Sequence, residues 1–202
     1  HDLGARLPDD DLCLRAARAL QAASGTALGA DISIDKQVPW GAGMGGGSSD
    51  AASTLLALNR LWRLDWPLSR LMPIGLTLGA DVPFFLGGHN AFVEGIGERL
   101  TPVSLPDLSF AVVKPVAAIE TRAIFQSPLL VRNTEAVILA GSTGGVSAFA
   151  SQVVSGFGRN DLQPPAEAAC AEVKDVARWL QARFGNSRMT GSGSAVFARI
   201  GE

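Results

Sequence analysis

The 202-residue chain has no tyrosine, two cysteines, two histidines and a formal net charge of only −2. Each shortage removes a class of function. Cys13 and Cys170 stand far apart, without metal-ligand spacing and inside apolar helical patterns, so they read as plain buried thiols rather than a disulfide framework or a zinc site. A reducing, cytoplasmic setting is expected. His1 and His89 offer no catalytic pair, and no Cys/His metal set can be assembled. With 17 basic against 19 acidic residues, no electrostatic footprint points to nucleic acid or an anionic membrane. No apolar run reaches the ~18 residues that span a bilayer, and no secretory leader pattern or fixed repeat is present. The chain begins at His1 and stops at ARIGE, so we expect it to continue at both ends.

What the chain does have is apolar residues, at 47%, and 23 glycines. The length suits one large or two small domains with a sizeable core. Residues 9–24 open with three aspartates and carry Leu12, Ala16, Ala19, Leu20 and Ala23 at helical spacing before Gly25, which predicts a helix. ADISIDKQV, 30–38, alternates like a half-buried strand. Ala51, Leu55, Leu58 and Trp62 predict a helix from about Asp50, and RLWRLD continues its pattern. A short helix should follow Pro67, and LGADVPFFLGG should be a shaped loop with an apolar anchor. NAFVEGIGERL and SFAVVKP read as strands, with a domain boundary between them near 100–108. Residues 141–147 read as a flexible connection, 165–184 as one long helix ended by Gly185, and AVFARI as a last strand.

The segment VPWGAGMGGGSSDAAS places five glycines between Gly41 and Gly47. Glycine loses more backbone freedom on folding than any other residue, so the run needs a reason. Glycines ahead of a helix let an anion reach unpaired N–H groups without meeting a Cβ, which suggests a cradle for a phosphate chain. The competing reading is a tight turn capped by Ser48, Ser49 or Asp50, but a cap accounts for one glycine and not five. The Walker pattern is excluded, because Gly47 is followed by Ser48 rather than lysine. GAGMGG satisfies the dinucleotide fingerprint, with Asp65 downstream, yet no β-branched strand leads to that acid.

A triphosphate in a loop without lysine needs Mg²⁺ and charge from elsewhere, so Mg-ATP is the expected donor. Ser48, Ser49 and Asp50 are candidates for phosphate or metal contact, Asp50 being equally well a helix cap. Asp81, between small residues and the apolar PFF, is the candidate for orienting an acceptor hydroxyl and taking its proton; the alternative is a cap for a short helix containing Pro83. Lys36 can lie along an adenine ring or snorkel on the surface. TGSGS, 190–194, is either a second loop closing over phosphates or a turn before the last strand.

Taken in order, VPWGAGMGGGSSDAA, LTLGADVPFF and RMTGSGSAVFA resemble the three signature motifs of the GHMP kinases, the superfamily of galactokinase, homoserine kinase and mevalonate kinase. GGGSSDAA, LGADVPFF with GHNAFVEGIGE after it, and the NDL of GRNDLQPPA look most like the branch that phosphorylates a diphosphocytidyl sugar alcohol on the non-mevalonate route to isoprenoids. The resemblance implies an α+β two-domain fold, with a ribosomal-protein-like α/β domain over 1–104 and a ferredoxin-like domain over 105–202, each incomplete. It implies that Pro39, Trp40, Gly41, Ala42, Gly43, Met44, Gly45, Gly46, Gly47, Ser48 and Ser49 hold the ATP phosphates, with Lys36 near the adenine. Asp81 would activate the 2-hydroxyl of the erythritol moiety, and Thr121 and Phe125 would hold the cytidine. The family also uses a lysine, a tyrosine and a histidine that would lie ahead of residue 1, while its metal ligands are not assigned on this chain. Trp40 and Gln163 depart from the family pattern, and monomer and homodimer are both compatible with it. Another small alcohol as acceptor, or nucleotide binding without catalysis, remain the alternatives.

Overall fold

The computed structural model describes residues 9–135 and 158–201, and these fall into two compact units. The first takes the described residues up to Trp40 together with Gly45–Val103, and the second takes Gly41–Met44 together with those from Ser104 onward. The phosphate-loop candidate is therefore divided between the units within a single run of chain.

The first unit is helical. Helix α1, Leu12–Ser24, starts where the Asp11 carboxylate accepts from the Cys13 N–H at 2.8 Å and stops at Gly25 in the left-handed conformation, φ 68°. Helix α2, Gly46–Leu61, α3, Leu68–Leu78, and α4, Val82–Gly87, follow. Helices α1 to α4 bury Ala16, Leu20, Leu55, Leu71, Val82 and Leu86 in one core. Close packing of α4 on α3 relies on Gly75, where a Cβ would come within 2.7 Å of Leu86 Cδ1. An antiparallel hairpin, β1 Ala91–Glu94 and β2 Arg99–Pro102, completes the unit.

Four expectations need correction here. Residues 30–38 form no strand: burial alternates as the pattern demands, with Ile32, Ile34 and Lys36 half-buried, but no described strand pairs with them. Helix α2 begins at Gly46, four residues before Asp50, and ends at Leu61 rather than running through RLWRLD; residues 63–67 are irregular, with no strand leading to Asp65. LGADVPFFLGG is not only a shaped loop but encloses α4, with Pro83 in its first turn, where a missing N–H is harmless. NAFVEGIGERL is a hairpin with a tight turn rather than one strand.

The second unit combines a sheet with helices. Strands β3 Ser109–Val113, β4 Ser187–Met189 and β5 Val196–Ile200 form an antiparallel sheet in the order β3-β5-β4. Ala111 pairs with Ala198, and Val113 and Met189 both lie opposite Val196, so the centre of one face is apolar. That face meets α5 Thr121–Gln126, α6 Gln163–Ala169 and α7 Ala171–Phe184 around Ile124, Ala166, Val173, Leu180, Met189 and Val196. The predicted helix over 165–184 is two helices, because Cys170 adopts φ −143° and ψ 106° between them. Gly185 ends α7 at φ 73°, as its position after Phe184 suggests. Residues 141–147 lie outside the described residues.

Candidate active site

Within the second unit the glycine run is held by its carbonyls. The Gly41 carbonyl accepts from Ser194 N–H at 3.3 Å, the Ala42 carbonyl from Ala195 N–H at 3.1 Å, and the Gly43 carbonyl from Thr190 Oγ1 at 2.9 Å. In a trans peptide the N–H points opposite to the C=O of the same plane. Three successive carbonyls committed to the TGSGS turn therefore aim the N–H groups of Ala42, Gly43 and Met44 away from it, and among the described residues those groups donate to nothing. Gly43 has to be glycine on two counts: its φ is +70°, and a Cβ would overlap the Thr190 carbonyl oxygen.

The rest of the run belongs to the first unit. Gly45, at φ 69°, occupies the N-cap of α2, and no side chain caps the helix. Ser48, Ser49 and Asp50 are thus not caps, and the first-turn N–H groups keep their unpaired character. A Cβ on Gly45 would lie 2.8 Å from the Phe85 ring, and one on Gly46 would lie 3.0 Å from Val38 Cγ1. Pro39 and Met44 are half-buried and Trp40 is 65% exposed.

Lys36 neither reaches out to solvent nor stands free beside the loop. Its ammonium forms an ion pair with the Asp50 carboxylate and its side chain is only 12% exposed. The bridge joins the 30–38 segment to α2 across the loop, and it engages the carboxylate that the sequence offered for metal or phosphate contact.

Asp81 sits at the N-cap of α4 with φ −86° and ψ −15°, and its side chain makes no capping bond. Its position is the one the cap alternative gave it, ahead of a short helix containing Pro83, but the side chain does no capping. Val82, Pro83 and Leu86 are buried behind it while Asp81 itself is exposed, and among the described residues its carboxylate has no partner. A contact that sequence reasoning overlooked fixes this position: the turn of the hairpin presses on the Ala80 carbonyl at Gly97, which is buried, has φ +124° and has no room for a Cβ. The GIGE wording held that signal. One turn into α4, Phe85 packs against Gly45, so the helix bearing Asp81 is seated on the start of α2.

In the second unit Thr121 and Phe125 are four residues apart on α5 and share one face. Thr121 Oγ1 and Ser192 Oγ are 2.8 Å apart, and the Phe125 ring is 49% exposed. Ser194, fully buried, donates from Oγ to the Ala117 carbonyl at 2.7 Å, which anchors the TGSGS turn to the chain ahead of α5. Among the described residues no group of three or more His, Cys, Asp or Glu side chains could hold a metal, and no helix is long and apolar enough to cross a membrane.

Residues 11–89 match the GHMP kinases N terminal domain and residues 147–201 the GHMP kinases C terminal domain. A protein of Methylibium petroleiphilum named 4-diphosphocytidyl-2-C-methyl-D-erythritol kinase is 64% identical over 201 residues, 100% of this chain and 67% of that one. The chain belongs to the GHMP kinases. A relative of the same name from Albidiferax ferrireducens is 59% identical to this GHMP kinase over 98% of its chain and 66% of the relative. The chain thus spans about two thirds of the length of the curated relatives it matches. The crystal structure of a 4-(cytidine 5'-diphospho)-2C-methyl-D-erythritol kinase superposes with a TM-score of 0.78 at 35% identity, covering 98% of this chain and 71% of that one. A homoserine kinase from Cytophaga hutchinsonii, at 16% identity and a TM-score of 0.69 over 97% and 69% of the two chains, shares the α+β fold of this GHMP kinase.

Proposed function

We propose that this GHMP kinase transfers the γ-phosphoryl group of ATP to the 2-hydroxyl of 4-diphosphocytidyl-2-C-methyl-D-erythritol. The observation that carries the reading is the glycine run: the N–H groups of Ala42, Gly43 and Met44 are aimed by committed carbonyls and left without partners, and α2 opens without a side-chain cap. Backbone donors without competing side chains suit a polyphosphate. The names of the relatives supply the substrate.

In this reading Pro39 to Ser49 hold the phosphates. The acceptor oxygen forms a bond to the γ-phosphorus as the β–γ bridging bond breaks, and its proton passes to Asp81, whose unpartnered carboxylate is free to take it. The face of α5 carrying Thr121 and Phe125 holds the cytidine, with the exposed ring as a stacking surface. Mg²⁺ arriving with the ATP would neutralise charge developing during transfer. Residues 1–104 and 105–202 act as the ATP-binding and C-terminal domains. The two free cysteines fit a cytoplasmic setting.

The test is ADP release by the full-length protein with a panel of acceptors. Release should depend on the cytidyl substrate and not on homoserine, galactose or mevalonate. ADP above background with one of those, and none with the cytidyl compound, overturns the substrate assignment.

A further inference from the structure

The segment between the described part of the second unit's first half and α6 reads GRNDLQ, and the activity as proposed gives it no task. The structure places two amides of this segment on the strand that leads into the TGSGS turn. The Asn160 NH₂ group donates to the Met189 carbonyl and the Gly191 carbonyl, each at 2.8 Å, while its Oδ1 accepts from Leu162 N–H at 3.0 Å. Three residues on, Gln163 Oε1 accepts from Met189 N–H at 2.9 Å. Every hydrogen-bonding group of the Asn160 side chain is used, and the chemistry fixes its identity: two carbonyls need two donors on one atom, and Leu162 needs an acceptor on the other. Only a primary amide of this length meets all three. The segment is itself braced, since Arg159 Nε lies 2.7 Å from Asp161 Oδ1 and Thr134 Oγ1 donates to Asp161 Oδ2 at 2.6 Å.

The clamped residues are the ones that hold the glycine run. Between the two carbonyls that Asn160 grips lies Thr190, which donates to the Gly43 carbonyl; beyond the turn, Ser194 and Ala195 donate to Gly41 and Ala42. We propose that Asn160 is a positioning residue for nucleotide binding: it sets the path of residues 189–191, which sets the carbonyls of Gly41 to Gly43 and hence the direction of the N–H groups of Ala42 to Met44. The inference rests on the phosphate-binding part of the function proposed above, and it does not depend on which alcohol is the acceptor. Asn160 reaches no phosphate; its effect passes through hydrogen bonds inside the second unit.

The experiment is equilibrium binding of ATP to the full-length protein, wild type against Asn160→Asp, with thermal unfolding and steady-state kinetics beside it. The aspartate keeps the acceptor for Leu162 and the shape, but turns a carboxylate toward two carbonyls. Its Kd and KM for ATP should rise tenfold or more, while kcat at saturating ATP stays within about threefold, because Asp81 is untouched. A role in stability alone predicts a lower Tm with unchanged KM in the folded protein, and that result overturns the proposal, as does wild-type affinity. If Asn160→Asp does not fold, Thr190→Val carries the test: it removes the bond to Gly43 at nearly constant volume, and unaltered ATP affinity there overturns the same link. Absence of ATP binding by the wild-type protein would instead refute the proposed function.

Discussion

Cys13 shows how a residue with no part in the chemistry reports on its surroundings. It is 2% exposed between α1 and α2, and burial pushes its thiol from 9.0 up to about 11, with the Thr54 hydrogen bond pulling the other way and Asp11 and Asp50 adding to the rise. Below pH 9 the thiol is protonated whether the chain is folded or not, and contributes nothing to the pH dependence. Between pH 9 and pH 11 the unfolded chain gives up this proton while the folded chain keeps it, so stability falls as pH rises. At 1.36 kcal/mol per pH unit the full loss is about 2–3 kcal/mol. Denaturant unfolding from pH 8 to pH 11 should show that decline in the wild type, and Cys13→Ala should flatten it; equal slopes would place the titration elsewhere. The burial itself was legible, because Cys13 falls on the apolar stripe with Ala16 and Leu20. The ion pair of Lys36 with Asp50 was not, since fourteen residues of sequence separate partners that only the folded loop brings together.

Elements were legible in proportion to how locally they are determined. Helices α1 and α7 declare themselves by an apolar face with a glycine at the end; α1 occurs as expected, while α7 keeps its predicted end but starts only after the break at Cys170. The start of α2 was hidden because Gly46, Gly47, Ser48 and Ser49 are poor helix formers, held helical by what packs on them rather than by propensity. Strand β4 is three residues long with Arg188 at its centre, too short for a period to register. Residues 30–38 show the reverse failure: alternation reports which side chains are buried and says nothing of a hydrogen-bonded neighbour. The packing of an element can be tested directly. Leu180 on α7 is fully buried against Val173, Met189 and Val196, so Leu180→Ala should destabilise the second unit by about 2–5 kcal/mol, read by urea denaturation. A loss under 1 kcal/mol would mean that α7 does not anchor this sheet.

For the molecule as a whole, the motifs in their order pointed to the family, and the relatives at 64% and 59% identity bear that out. The motifs offer candidate site residues as a list, without the contacts that hold them. No periodicity announces that Gly97 fixes the place of Asp81, or that Asn160 and Gln163 grip the strand entering the TGSGS turn, because each depends on chain segments distant in sequence. The central claim is a division of labour, in which the glycine run binds ATP and Asp81 carries the proton transfer. The turnover number of Asp81→Asn in the full-length protein, with ATP affinity measured in the same sample, tests it most directly. The account predicts a fall of about 10²–10⁴-fold in kcat, the usual contribution of a positioned acid or base, with Kd for ATP within a few-fold of wild type. Full activity in that variant would contradict it.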